Sequence, residues 1–362
     1  MKLSFKSLVI VFLVALLGAS IGTIATKELL YQEDPKETYT TENFGVSTVE
    51  YSNIQPTELT QTIEKAMQTV VEINCKVYTT TFFGQAEGLA MGSGVIISSN
   101  GYIVTNNHVV ETSTDIEVVT FTGDKYKARV IGTDSRSDLA VIKIEEKNLP
   151  YTSFANSDSL LLGQQVVAIG NPLGEGLTCS EGIISALTKE VTIDDISMDL
   201  LQTSAAINQG NSGGGLFDCN ANLVGVVNAK SSNSSLSETS VEGMGYAIPS
   251  NTAKKIVDDL IENGYVRHRA TMGITVYKTN DYFYEDIKGC VISEVLTGGA
   301  ADYAGIRAGD IIIKVDDKDI ESYTDLTKAL DTYSVGDEVS VTVNRNGTPR
   351  IYKVILQEAT NY

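Results

Sequence analysis

Two successive series of short β-branched runs constrain this chain more than any other feature. The first passes through residues 70–77, 94–97, 116–121, 128–133 and 139–144, the second through 165–169, 178–186, 200–204, 215–217 and 223–227. Val, Ile and Thr are stiff at χ1 and suit a pleated, half-buried surface, and turn-forming residues separate the runs. The pattern predicts an all-β barrel or sandwich, with strands enough for two barrels. Residues 57–67 read as a short amphipathic helix ahead of the first series. Residues 251–263 read as a helix stopped by Gly264. Arg267, His268 and Arg269 mark a boundary, with His268 a linker residue of no catalytic role. The remainder, to residue 362, is long enough for one small domain of mixed strands and helices.

The start of the chain carries a different signal. Lys2 and Lys6 precede an uncharged stretch, residues 7–26, long enough to cross a bilayer core. The flank before it is basic and the flank after it acidic, which orients residues 1–6 to the cytoplasm and the body outside. A cleaved signal peptide is the competing reading, and it also exports the body. Residues 27–55, rich in Thr, Glu and Asn, read as a tether. The predicted divisions are therefore 56–265 for the β-rich domain and 266–362 for the small one.

Composition narrows the chemistry. A formal net charge of −19 argues against a nucleic-acid partner, which requires a basic face. The two histidines, His108 and His268, exclude a His-rich metal site, and the four cysteines form no C-x-x-C pair. No metal or other cofactor is expected.

Three segments remain: TNNHVV (105–110), DSRSDLAVIKI (134–144) and QTSAAINQGNSGGGLF (202–217). A serine hydroxyl is a poor nucleophile at neutral pH. It needs a base to take its proton, and the base needs an acid group to fix its tautomer. Ser212, His108 and Asp138 supply one of each, in the chain order His, Asp, Ser of chymotrypsin-type enzymes. The glycines around Ser212 permit a turn in which backbone N–H groups converge on an oxyanion, from Gly210 and Ser212 with Asn211 as a third.

These segments resemble the HtrA (DegP-like) family of trypsin-fold serine proteases. The likeness rests on the three motifs and on GSGVII (92–97), AIGNPLG (168–174) and GYAIPSN (245–251). It departs at Ser204, where aspartate is usual, at Gly215, where proline is common, and at Val227, where asparagine is frequent. The resemblance implies a specificity pocket near Ile207, Asn208, Val226 and Asn228 for a small or medium aliphatic side chain. It also implies a Cys179–Cys219 bridge and assembly as a homotrimer.

Residues 289–320 look like part of a PDZ domain, with Thr271, Met272, Gly273 and Ile274 as the loop that captures a C-terminal carboxylate and 323–333 as the groove helix. The expected protein is a membrane-anchored, ATP-independent endopeptidase acting on unfolded or misfolded exported polypeptides. The rival readings are a chaperone or scaffold with an idle triad, and a signalling protease with one membrane-protein substrate.

Overall fold

The computed structural model describes residues 56–81, 84–171, 174, 176–193, 196–229, 243–277 and 288–359. The anchor expected at 7–26 and the tether at 27–55 lie outside them. Among the described residues no helix is long and apolar enough to cross a membrane.

Helix α1 (Glu58–Met67) leads in, its first turn capped by the Thr57 hydroxyl, which accepts from Thr60 N–H at 3.2 Å. Six strands then close a first barrel: β1 (Val70–Thr81), β2 (Gly84–Ile96), β3 (Tyr102–Thr105), β4 (Ser113–Val119), β5 (Lys125–Asp134) and β6 (Leu139–Ile144), ordered β1-β2-β3-β6-β5-β4. Six more close a second: β7 (Gln165–Gly170), β8 (Thr178–Ile193), β9 (Ile196–Thr203), β10 (Gly215–Phe217), β11 (Leu223–Val227) and β12 (Gly245–Pro249), ordered β10-β11-β12-β9-β8-β7. Both closed orders are antiparallel throughout and leave no open edge, the usual solution for strands this short.

Each barrel has its own interior. Ile73, Ile103 and Ile142 fill the first, and Val166, Ile184 and Leu216 the second. A third cluster seals the barrels together. In it Val104 and Val141 of the first barrel meet Ile169 and Phe217 of the second, under Val257 and Leu260 of helix α3 (Ser250–Asn263). Burying each such side chain stabilises by about 1.5–3 kcal/mol, so this cluster is what holds the inter-barrel cleft in shape. Gly264 ends the helix at φ +85°, in the left-handed region that the sequence reading required of it.

The small domain pairs β13 (Ala270–Thr271) with β20 (Gln357–Glu358). A second sheet runs β14 (Ile274–Val276), β15 (Cys290–Val295), β16 (Ile311–Val315), β18 (Glu338–Arg345) and β19 (Thr348–Ile355), with β17 (Lys318–Asp319) paired to β16. Its core gathers Met272, Ile292, Ile312 and Val341 beneath helix α4 (Ala300–Ala304) and helix α5 (Tyr323–Leu330). Strand β14 is an edge, and α5 begins where the groove helix was expected, at Tyr323, but ends at Leu330 rather than Tyr333.

Three ion pairs tie this domain to the barrels: Arg136 with Asp331, Arg269 with Asp134, and Lys328 with Glu190. Arg136 also donates to the Thr327 carbonyl at 3.3 Å.

The Cys179–Cys219 bridge is not formed, and both thiols are free and exposed. Register is the reason. Cys179 pairs across to Ile169 at one end of β7, whereas Cys219 lies against Gln165 at the other, its Sγ 3.6 Å from Gln165 Oε1. Four residues of strand separate those ends by about 13 Å, beyond the roughly 7 Å that a disulfide spans between Cα atoms.

Candidate active site

His108 is the second residue of helix α2 (Asn107–Val110), a single turn that follows β3. Asp138 closes the turn between β5 and β6. There Asp134 accepts from Ser137 N–H at 3.1 Å and from its hydroxyl at 2.5 Å, which winds the loop tightly and delivers Asp138 at φ +52°. Aspartate tolerates that left-handed conformation better than most residues.

The two side chains meet. His108 Nδ1 is 2.6 Å from Asp138 Oδ2, and the His108 amide donates to Oδ1 at 3.0 Å. Asn228 adds a third donor, its Nδ2 2.9 Å from Oδ2. The Asp138 carbonyl in turn accepts Asn106 Nδ2 at 2.9 Å and the Asn107 amide at 3.1 Å. A buried carboxylate with this many N–H donors is held in one orientation.

Ser212 approaches from the second barrel, buried in the turn before β10. Gly210 and Gly213 adopt φ +97° and +82°. At Gly213 a side chain has no space: a Cβ there would lie 2.2 Å from the Ser93 carbonyl and 2.2 Å from the Thr105 hydroxyl. Among the described residues the Gly210 and Ser212 amides have no backbone acceptor, which leaves them free for an oxyanion. The Asn211 amide is different. It donates to the Asn208 carbonyl at 3.0 Å inside the turn, so the expected third donor is already committed. The Ser212 hydroxyl oxygen accepts the Ala229 amide at 3.3 Å, and among the described residues it makes no hydrogen bond to His108.

Ser93 locks the nucleophile turn to the first barrel. Its hydroxyl donates to the Gly210 carbonyl and accepts the Asn171 amide, both at 2.8 Å, while its own amide donates to the Ser212 carbonyl at 2.8 Å. Sequence reasoning passed over Ser93. The only signal was its place between Gly92 and Gly94, a tight passage flagged by resemblance rather than by chemistry.

The expected specificity pocket is not built as read. Asn228 is fully buried and aims its amide at Asp138. Val226 packs into the inter-barrel cluster with Leu223 and Ile248, whereas Ile207 packs with Val227 and Ala247 inside the second barrel. Asn208 contributes its carbonyl to the Asn211 turn. Ile207 and Val226 therefore belong to separate clusters. The departures have local reasons too. Ser204 accepts the Ile183 amide at 3.0 Å, and a Cβ at Gly215 would lie 2.3 Å from the Phe217 ring.

Four buried side-chain atoms without a protein partner cluster at this site: Asn106 Oδ1, Asn171 Nδ2, Asn211 Oδ1 and Asn228 Oδ1. Unsatisfied polar atoms are costly in a fold, and their concentration here marks the cleft rather than the core as the place of function. No group of described residues has the composition of a metal site.

In the small domain Met272 is a core residue, and its carbonyl accepts the Ala301 amide at 2.8 Å. Ile274 opens β14 opposite Val295. The Gly273 amide, expected to meet a carboxylate, donates to the Thr271 hydroxyl at 3.2 Å.

Comparison with known proteins agrees with this architecture. A profile for trypsin-like peptidase domains matches residues 92–226, and one for PDZ domains matches 270–356. The Serine protease Do-like HtrA of Lactobacillus helveticus is 40% identical over 291 residues, 76% of this chain and 70% of that protein. The periplasmic serine endoprotease DegP of Escherichia coli is 38% identical over 283 residues, 76% of this chain and 59% of that one. A probable periplasmic DegP-like endoprotease of Chlamydia muridarum is 40% identical over 269 residues, and this chain spans about half of its length, 53%. Among solved structures, the serine endoprotease from Yersinia pestis superposes with a TM-score of 0.54 at 33% identity, covering 84% of this chain and all of that one. The HtrA-type protease AlgW with a decapeptide gives 0.55 at 29%, covering 83% and 98%.

Proposed function

This chain belongs to the HtrA (DegP-like) family of serine proteases, with one trypsin-like and one PDZ domain, and from that premise we propose that it is an extracytoplasmic, ATP-independent endopeptidase of unfolded or misfolded polypeptides. The observation that carries the reading is the 2.6 Å imidazole–carboxylate contact of His108 and Asp138 on the first barrel, together with a buried serine in a glycine turn on the second.

In the proposed reaction His108 Nε2 takes the Ser212 proton as Oγ attacks the peptide carbonyl carbon. The amides of Gly210 and Ser212 hold the resulting oxyanion. His108 then protonates the leaving amine, and water, deprotonated by the same imidazole, releases the acyl group. Asp138 orients the ring and fixes its tautomer, with Asn228 steadying the carboxylate. The Ala229 amide holds the serine oxygen in its resting position, from which it turns toward the imidazole.

The PDZ domain binds C-terminal peptides by strand addition at β14, the carboxylate displacing the Thr271 hydroxyl from the Gly273 amide. Residues 7–26 anchor the chain with its body outside the cytoplasm, a placement supported by the relatives named periplasmic. Assembly as a homotrimer is part of the same proposal.

The test is cleavage of an unfolded reporter protein by the parent chain beside Ser212→Ala. Cleavage by the parent alone supports the triad. If neither cuts but both bind the reporter, the chaperone reading takes its place. A census of new termini in cells with and without the protein separates broad quality control from a single dedicated substrate.

A further inference from the structure

The turn that carries Ser212 has a carbonyl that only a side chain holds. Within the turn the Asn211 amide closes on the Asn208 carbonyl at 3.0 Å and the Gly214 amide on the Asn211 carbonyl at 2.9 Å, while the Ser212 carbonyl takes the Ser93 amide at 2.8 Å. The Gly210 carbonyl has, among the described residues, a single donor: the Ser93 hydroxyl, at 2.8 Å.

The residue at that position makes the bond matter. Gly210 sits at φ +97°, and glycine has no Cβ to fix it there. Its amide and its carbonyl flank one Cα, so a carbonyl that comes loose lets the Cα turn and take the amide with it. That amide is one of the two left free for an oxyanion. The bond also has a fixed direction. The Asn171 amide donates to Ser93 Oγ at 2.8 Å. An amide can only donate, and the hydroxyl has one proton, so that proton goes to Gly210. Ser93 is fully buried, and its own carbonyl takes the Thr105 hydroxyl at 2.6 Å, which pins the strand beneath it. The hydroxyl is closely surrounded as well: a Cβ at Gly170 would lie 3.0 Å from Ser93 Oγ and 2.8 Å from Asn211 Oδ1.

We propose that Ser93 is a positioning residue for the oxyanion: its hydroxyl fixes the peptide unit that follows Gly210, and so keeps the Gly210 amide aimed at the substrate carbonyl oxygen as that oxygen gains charge. The proposal deepens the reading of Ser212 as the cutting residue and rests on it. Ser93 touches neither the substrate nor the reacting atoms. Its contribution is made when the carbonyl carbon becomes tetrahedral, once in acylation and again in deacylation, and is absent while substrate merely binds.

Two measurements on the full chain test it. First, Ser93→Ala and Ser93→Cys are compared with the parent at a temperature where all three are folded. Ser93→Ala should lower kcat by about 10- to 100-fold on an amide and on an ester substrate alike, with KM within about twofold; outright removal of an oxyanion donor costs about 10²–10³. Ser93→Cys, with its weak S–H donor, should fall between the parent and Ser93→Ala. A peptide aldehyde, whose hemiacetal oxygen takes the place of the oxyanion, should lose affinity by the same factor as kcat/KM. A defect in KM alone, a defect on the amide but not the ester, or an unchanged aldehyde affinity overturns the proposal and leaves Ser93 a residue of the fold only.

Second, crystal structures of the parent and of Ser93→Ala are compared, a readout that needs no turnover. In the variant the Gly210 carbonyl should rotate from its place and carry the amide away from the cleft, with His108 and Asp138 unmoved. A Ser93→Ala turn that superposes on the parent's overturns the proposal, whatever the rates show. Failure of the underlying reading would appear elsewhere, as undiminished cleavage by Ser212→Ala, so the two failures are told apart.

Discussion

The two walls of the catalytic cleft are built by different means. On the first barrel, side chains do much of the positioning: Asp138 is held by the ring and amide of His108 and, from across the cleft, by the side chain of Asn228, and its carbonyl by Asn106 and the Asn107 amide. On the second, backbone does it. The Gly213 amide donates to Val227 O at 3.0 Å, Val227 N–H returns a bond to Gly214 at 2.8 Å, and positive φ at Gly210 and Gly213 turns the chain. A wall made of side chains tolerates exchange of one donor for another. A wall made of backbone depends on the absence of side chains. The two should therefore respond differently to substitution.

The largest effect tests the cleft as a whole. Ser212→Ala removes the attacking atom and should lower kcat by at least about 10⁴-fold while leaving reporter binding intact. A loss of binding of similar size would mean that the turn, and not just the hydroxyl, had been disturbed. Next comes the backbone wall. Gly213→Ala places a methyl 2.2 Å from the Ser93 carbonyl and the Thr105 hydroxyl at a left-handed φ, so it should destabilise by about 2–4 kcal/mol and reduce kcat by more than about 100-fold. Thermal unfolding beside single-turnover rates checks both figures; a variant of parental stability and rate would show that the turn is looser than described.

The side-chain wall should give way more gently. Asn228→Leu keeps the volume and removes one donor to a buried carboxylate, a change of about 1.5–3 kcal/mol, or about ten- to a hundredfold in kcat with KM little moved. An effect confined to KM would return Asn228 to the specificity pocket that the resemblance suggested for it.

The same contrast explains what the sequence made legible. His108, Asp138 and Ser212 stood out because each side-chain type has few uses in such a setting, and Gly210 and Gly213 because the turn admits little else. The barrels were visible in the β-branched runs, though β8 extends to Ile193, beyond the run at 178–186, since its outer half is a two-stranded hairpin with β9 that no core periodicity marks. Ser93, and the role of Asn228 toward Asp138, were hidden because each acts on a partner remote in sequence, 117 and 90 positions away, and local pattern carries no trace of such pairs. The expected Cys179–Cys219 bridge failed for a related reason: strand identity was readable, but the register along β7 that separates the two thiols was not.

The smallest effect on proteolysis is expected farthest from the cleft, where a side-chain pair serves stability alone. Asp310 is almost fully buried in the PDZ domain and accepts Arg345 Nε and Nη2, each at 2.6 Å, and the Arg307 amide at 2.9 Å. Burial opposes its ionisation, but Arg345 and the Arg307 amide outweigh burial and hold its carboxyl below the ordinary value of 3.8. A carboxyl whose folded-state pKa is depressed contributes stability above its unfolded pKa, and that contribution is lost as pH falls through the folded-state value. The PDZ domain should therefore lose stability progressively below about pH 4. Asp310→Asn leaves the half-buried Arg345 without its charge partner and should cost about 2 kcal/mol at neutral pH, while flattening the acid limb of the stability curve. Cleavage of an Ala-bearing peptide should stay within about twofold of the parent at a temperature where both remain folded, because Asp310 touches neither wall of the cleft. A larger drop in cleavage, at unchanged folding, would show that the PDZ core is coupled to the triad and that the separation drawn between the two walls stops short of the whole protein.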